Sequence, residues 1–115
     1  MLPTMRVKAV YVSSQSVDFR KSHDGLLAEC YRLGTDPFAG DMVVFIGRNR
    51  RRIKILFADA TGLWLASKRF TDYAMKTSFK FLSDPTVTAI TSGELQLMCD
   101  GVAYKIEKRL PAQRF

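Results

Sequence analysis

Apolar residues recur along this chain with a period of two in some stretches and near 3.6 in others, and the changes of period divide it into elements. Residues 7–12 open with alternation, Val7, Ala9 and Tyr11 against Lys8, Val10 and Val12, until Ser13-Ser14 breaks the run; this predicts a strand. A helix is predicted over 22–33. Ser22 stands at the N-cap position, Leu26, Cys30 and Leu33 share one face, Gly34 supplies the stop and Pro37 lies just beyond. Gly25 weakens this helix by about 1 kcal/mol relative to alanine.

From 42 to 70 the pattern becomes three strand-like runs, 42–47, 53–58 and 63–70, rich in β-branched and aromatic residues, with turns at 48–52 and 59–62. The stretch 72–88 has no clear period beyond Phe79 and Phe81 alternating across Lys80, as in a short strand. Thr91 and Glu94 then have capping-box spacing, and Leu95, Met98 and Val102 form an apolar stripe around Gly101, which predicts a second short helix. The fold class expected is α+β: a small single domain over 1–115, with an antiparallel three- to five-stranded meander and two short helices.

The second turn sets a register with consequences. If Ala58 lies opposite Leu63, antiparallel pairing puts Phe57 beside Trp64 and Ile55 beside Ala66 on one face, and Leu56 beside Leu65 on the other. Away from the turn, Arg52 then faces Arg69, Ile53 faces Lys68, and Lys54 faces Ser67. Arg48, Arg50, Arg51, Arg52, Lys54, Lys68 and Arg69 therefore gather at one end of the sheet, five of them within the seven positions 48–54. Like charges directly opposite one another are destabilising, so the arrangement points to an anion that offsets the repulsion. Solvated edge and turn residues that keep the sheet soluble are the alternative reading. Arg20 and Lys21 are further candidates. Cations at a helix start oppose its dipole unless they face something negative, either a phosphate or Asp18 or Asp24.

Composition adds direction. A net charge of +7 favours a polyanionic partner, because each phosphate neutralised by Lys or Arg releases condensed counterions. No apolar run approaches the ~20 residues of a membrane span, and residues 1–9 lack a secretory pattern; a cytoplasmic protein without membrane contact is expected. Cys30 and Cys99 have no Cys or His at ligand spacing and read as buried small hydrophobes, with no metal or cofactor implied.

Taken in order, Val17-Asp18-Phe19-Arg20-Lys21-Ser22-His23-Asp24-Gly25-Leu26, Asp36-Pro37-Phe38-Ala39-Gly40, Phe45-Ile46-Gly47-Arg48-Asn49-Arg50, Ile53-Lys54-Ile55-Leu56 and Leu97-Met98-Cys99-Asp100-Gly101-Val102 resemble one family. It is the TnpB-type accessory protein of the IS-sixty-six class of bacterial insertion sequences. Asp59, Gly62, Leu65 and Lys68-Arg69 continue the match, which runs from about Val12 to Tyr104. Two departures stand out. Ala58 takes a position usually aromatic in the family, and Phe70-Thr71-Asp72-Tyr73-Ala74-Met75-Lys76 replaces an acidic, aromatic, proline-containing stretch. The resemblance implies a protein needed beside the transposase for movement of the element, with the transposase and another element-encoded accessory protein as partners.

An enzyme is not expected. Asp18, Asp24, Asp36, Asp59 and Asp100 could be imagined as a metal-holding set for strand transfer, but they fall at helix starts, turns and a helix end, where carboxylates have structural uses. His23, the single histidine, sits where the family is usually apolar and reads as structural. Tyr11, Trp64, Tyr73 and Phe79 could stack on bases, although Trp64 at strand spacing reads as core, so backbone contacts are favoured over base readout. The expected function is a non-catalytic accessory protein of DNA transposition that binds DNA phosphates through the basic hairpin. The alternative is a protein-interaction module that contacts the transposase without touching DNA.

Overall fold

The structure is a computed structural model, and it describes residues 7–13, 17–71, 78–81, 87–103 and 105–108. Strand β1 (Ala9–Ser13) is followed by helix α1 (His23–Arg32), a 3-10 turn (Pro37–Ala39), and strands β2 (Asp41–Ile46), β3 (Arg52–Ala58) and β4 (Leu63–Arg69). Strands β5 (Ser78–Phe81) and β6 (Val87–Ile90), helix α2 (Ser92–Asp100) and strand β7 (Lys105–Lys108) complete it. The main sheet has five strands in the order β4-β3-β2-β1-β6. β2, β3 and β4 form the antiparallel meander expected; β1 joins it parallel to β2 and antiparallel to β6. β5 and β7 make a separate parallel pair.

The sheet is covered on both faces. Val43, Phe45 and Leu56 pack with Leu26, Cys30 and Leu33 of α1 and its end. Val10, Val12, Val44, Ile46, Ile53 and Phe57 point the other way, onto Met98, Leu95 and Cys99 of α2. β1 and β2, both anticipated as strands, are therefore buried on both faces rather than on one. They are central, and four consecutive residues of β1, Val10 to Ser13, are buried. Parallel pairing of β1 with β2 needs a crossover, which α1 supplies.

The register between β3 and β4 is the one the turn dictates. Ala58 faces Leu63, Phe57 faces Trp64, Lys54 faces Ser67, Ile53 faces Lys68 and Arg52 faces Arg69. Asp59 fixes this turn: its carboxylate accepts from the Thr61 and Gly62 amides and from the Trp64 indole N–H at 2.7 Å. Trp64 is nevertheless not core. It lies on the sheet's edge strand, stacked on Phe57 with ring centroids 6.2 Å apart, and keeps 44% of its surface exposed. Strand spacing identified its face; its place at the edge left one flank open to solvent.

The second helix begins with the full capping box. Glu94 N–H donates to the Thr91 hydroxyl at 3.0 Å, and Thr91 N–H to the Glu94 carboxylate at 2.9 Å. Gly101 ends it at φ 73°, a left-handed conformation that glycine adopts without strain. Ser22 occupies the N-cap position of α1 but makes no side-chain cap bond, its hydroxyl lying 3.3 Å from His23 Nδ1 instead. Cys30 is fully buried; Cys99 is only partly so. Tyr73 and the 72–76 departure lie outside the described residues, as does the side chain of Phe79.

Candidate nucleic-acid interface

The turn between β2 and β3 is built by its own backbone. Gly47 N–H donates to Arg52 O at 2.9 Å, Arg50 N–H to Gly47 O at 2.9 Å, and Asn49 Oδ1 accepts from Arg51 N–H at 3.0 Å. Arg50 adopts φ 61°, outside the usual range for a side-chain-bearing residue. Gly47 gives the Phe19 ring room, since a Cβ there would crowd the ring at 3.3 Å. The 17–20 segment can therefore close against the hairpin. Between them lies a concavity of about 630 Å³ lined by Val17, Asp18, Phe19, Arg20, Gly47, Arg48, Asn49 and Arg52. A second, of about 360 Å³, is lined by Asn49, Arg51, Arg52, Arg69, Phe70 and Thr71. Asn49 and Arg52 border both, so the two are neighbours.

Hydrogen-bond parity brings Arg52 and Arg69 close. Phe70 N–H donates to Arg51 O at 2.8 Å and Asp59 N–H to Gly62 O at 3.0 Å, so 51/70 and 59/62 are hydrogen-bonded pairs. Arg52/Arg69, one step along the ladder, is a non-hydrogen-bonded pair, the type with Cα atoms about 4.5 Å apart and side chains closest. Both arginines are exposed, as are Arg48 and Arg51. No ion pair joins any of these four to a carboxylate among the described residues, where the ion pairs are Arg20 with Asp18 and Arg32 with Glu29. Arg50 is half-buried at the turn.

The remaining candidates have other partners. The Lys54 ammonium donates to Phe19 O at 2.7 Å and Lys21 O at 3.0 Å, and lies 5.0 Å from the centre of the Phe19 ring. It braces the wall of the first concavity. Lys68 is on the opposite face of the sheet, where it donates to Cys99 O at the C-terminal end of α2, a position that favours a cation, and sits over the Phe70 ring. Arg20 grips Asp18 through Nε and NH2, the latter at 2.8 Å, and this guanidinium pulls the Asp18 carboxyl down to about 2. Lys21 is exposed, its stem packed against Gly25. The cations thus separate into an exposed guanidinium group, a set of three (Lys54, Lys68 and Arg20) held by the protein's own oxygens, and Lys21, exposed just before α1. The register pairing Ile53 with Lys68 already turned Lys68 to the face opposite Arg52 and Arg69, but the carbonyls that hold Lys54 and Lys68 are more than 30 positions away, 35 for Phe19 and 31 for Cys99, and no local pattern marks them. Asn49 was also missed; a polar turn residue has no pattern that marks it as a site wall.

The carboxylates are dispersed. Asp36 accepts from Phe38 N–H, Asp59 holds its turn, and Asp100 accepts from Gln96. Among the described residues no three His, Cys, Asp or Glu side chains converge as a metal site. None of the described helices is long and apolar enough to cross a membrane.

The family described as IS66 Orf2 like protein matches residues 8–109, from the start of β1 through β7. The chain belongs to that family. Its members' insertion-sequence origin implies an accessory role in transposition. The chain is also similar to an uncharacterized protein of Sinorhizobium fredii, y4jC, at 29% identity over 118 residues, covering 99% of this chain and 96% of that protein. No solved structure matches. The basic hairpin, the 17–20 wall and the Lys54 brace all fall within the family match.

Proposed function

We propose that this Orf2-like protein is a non-catalytic transposition accessory factor that holds DNA by its phosphates through Arg48, Arg51, Arg52 and Arg69, and so helps place the transposase on its element. Arg20 lines the first concavity and Lys54 braces its wall through Phe19, while Lys68 is engaged with the α2 end on the other face of the sheet. The observation that supports this most is the Arg52/Arg69 pair: two exposed arginines directly opposite each other in a close cross-strand position, near Arg48 and Arg51, none of the four ion-paired to a described carboxylate, since the Asp18 that lines the same concavity is held by Arg20. Such a grouping is unfavourable alone and favourable around a phosphate, which guanidinium binds with two parallel hydrogen bonds. Phosphate contacts fix position without reading bases, so little sequence preference is expected from this site.

Binding to the element's terminal DNA across a salt series tests the reading. Wild type should show a steep logarithmic slope, and combined Arg48→Ala, Arg51→Ala, Arg52→Ala and Arg69→Ala should flatten it by about 3 to 4, near 0.9 per phosphate lost. Absence of wild-type binding at low salt overturns the reading in favour of a module that meets the transposase through protein contacts alone.

A further inference from the structure

We propose that the free edge of β4 is a homodimer interface, pairing antiparallel with β4 of a second copy about a two-fold axis at Ala66. β4 ends the main sheet, and its seven residues run without proline, glycine or bulge in unbroken register with β3. The hydrogen-bond parity established by the Arg51/Phe70 and Asp59/Gly62 bonds turns the N–H and C=O groups of even-numbered β4 residues toward β3. Those of Leu63, Leu65, Ser67 and Arg69 point outward. Among the described residues no strand pairs with these groups, and an edge of this kind is a template for another strand.

The register follows from which groups are available. Outward residues can bond only to outward residues, so odd positions must pair with odd. Of the antiparallel registers that allow this, the one centred on Ala66 uses the whole strand: Leu63 faces Arg69 of the second copy and Leu65 faces Ser67. Each of those four residues then donates one bond and accepts one, about eight across the interface. A register centred on Leu65 or Ser67 leaves an end overhanging, and parallel pairing sets Lys68 and Arg69 beside their own copies, which is repulsive.

Side chains favour the same register. Leu63, Trp64 and Leu65 make one half of the strand apolar, and Lys68 and Arg69 make the other cationic. The two-fold lays cationic half against apolar half. The half-exposed Trp64 gains the Lys68 stem, and the cationic end reaches the turn that holds the Asp59 carboxylate. Ala66 and Ser67, both small and exposed, leave the centre open for close approach. The two α2 faces then lie on one side of a continuous ten-stranded sheet, and the two guanidinium clusters at opposite ends of the seam. A seam made by one strand edge is small, so the association is expected to depend on protein concentration.

Sedimentation of the full chain without DNA tests this separately from the phosphate site. Wild type should dimerise with rising concentration. Ser67→Pro should shift the dissociation constant upward at least about tenfold, because Ser67 is exposed and its N–H faces away from β3, a position that accepts proline within an edge strand. A second measurement does not depend on that variant folding. In a Cys99→Ser background, Ala66→Cys should oxidise to a disulfide dimer much faster than Ser67→Cys, since only position 66 meets itself across the axis at disulfide range. A wild type that stays monomeric at high concentration, a dimer indifferent to Ser67→Pro, or equal cross-linking at 66 and 67 overturns the proposal.

Discussion

Lys54 and Arg52 stand two positions apart on one face of β3 and differ in what surrounds them. Lys54 is half-buried and donates to two carbonyls of the 17–21 segment, whereas Arg52 is exposed and flanked by arginines. Lys54→Met should therefore lower unfolding free energy by about 1.5 to 3 kcal/mol, the range for hydrogen bonds to a charged group, while leaving the salt slope of DNA binding nearly unchanged. Arg52→Ala should do the reverse, flattening the slope at little cost to stability; denaturant melts beside a salt titration separate the two. On β6, the Thr88 hydroxyl is buried without a hydrogen-bond partner. Thr88→Val keeps the shape and removes the desolvated hydroxyl, and should raise stability by about 1 kcal/mol in the same melts. Burial pushes the Cys30 thiol up to about 12. Because the folded value is raised, the contribution of the neutral thiol is complete below the unfolded value near 9 and is lost as pH rises through the folded one. Cys30 should accordingly resist alkylation in the native state at neutral pH while Cys99, partly exposed, reacts first; mass spectrometry of the labelled protein reads the order.

Elements differed in how much of themselves the sequence disclosed. The β3–β4 hairpin was legible to the residue because a short turn allows one register and the apolar alternation of Ile53, Ile55 and Phe57 selects a face. Helix α2 was equally plain, since Thr91 and Glu94 form both halves of a local motif; Thr91→Ala should cost about 1 kcal/mol, measured by denaturant unfolding. The basic cluster was legible for the same local reason, Arg52 meeting Arg69 being a consequence of that register. What stayed hidden needed distant partners. The run at β1 identified a strand, but its parallel union with β2 depends on α1 crossing over the sheet. Trp64 was placed on the correct face and then misjudged as core, because no local pattern marks β4 as the edge. Lys54 and Lys68 entered the cationic set through charge and the hairpin register, and the carbonyls that hold them come from the 17–21 segment and the α2 end, which no local pattern discloses. The 3-10 turn at Pro37–Ala39, where the Asp36 carboxylate accepts from Phe38 N–H, had no periodic signal of its own beyond Pro37 following the helix stop.

At the scale of the whole molecule, charge and stability are linked. A chain of net charge +7 with four exposed guanidiniums at one end of its sheet repels itself in the folded state, and more so as ionic strength falls. Salt acts on this in two opposed ways. It screens the Arg48, Arg51, Arg52 and Arg69 repulsion, and it also weakens the Arg20–Asp18 and Arg32–Glu29 pairs. Local surface pairs of that kind, Arg20–Asp18 exposed and Arg32–Glu29 half-buried, contribute about 1 kcal/mol or less each, whereas the repulsive set includes a close cross-strand pair and is reinforced by the overall charge. Screening of repulsion should win. The melting temperature of the free protein is therefore expected to rise as the Debye length shortens from about 30 Å at 0.01 M to about 8 Å at 0.15 M salt. It should rise less in the variant lacking the four arginines, which ought to be the more stable of the two at low salt. A short DNA duplex added at low salt should raise the wild-type melting temperature further, since a ligand that binds the folded state stabilises it in proportion to its occupancy, and should leave the four-arginine variant almost unmoved. A wild-type melting temperature that falls with added salt would mean the cluster is not under repulsion, and would remove the physical reason for assigning it an anion.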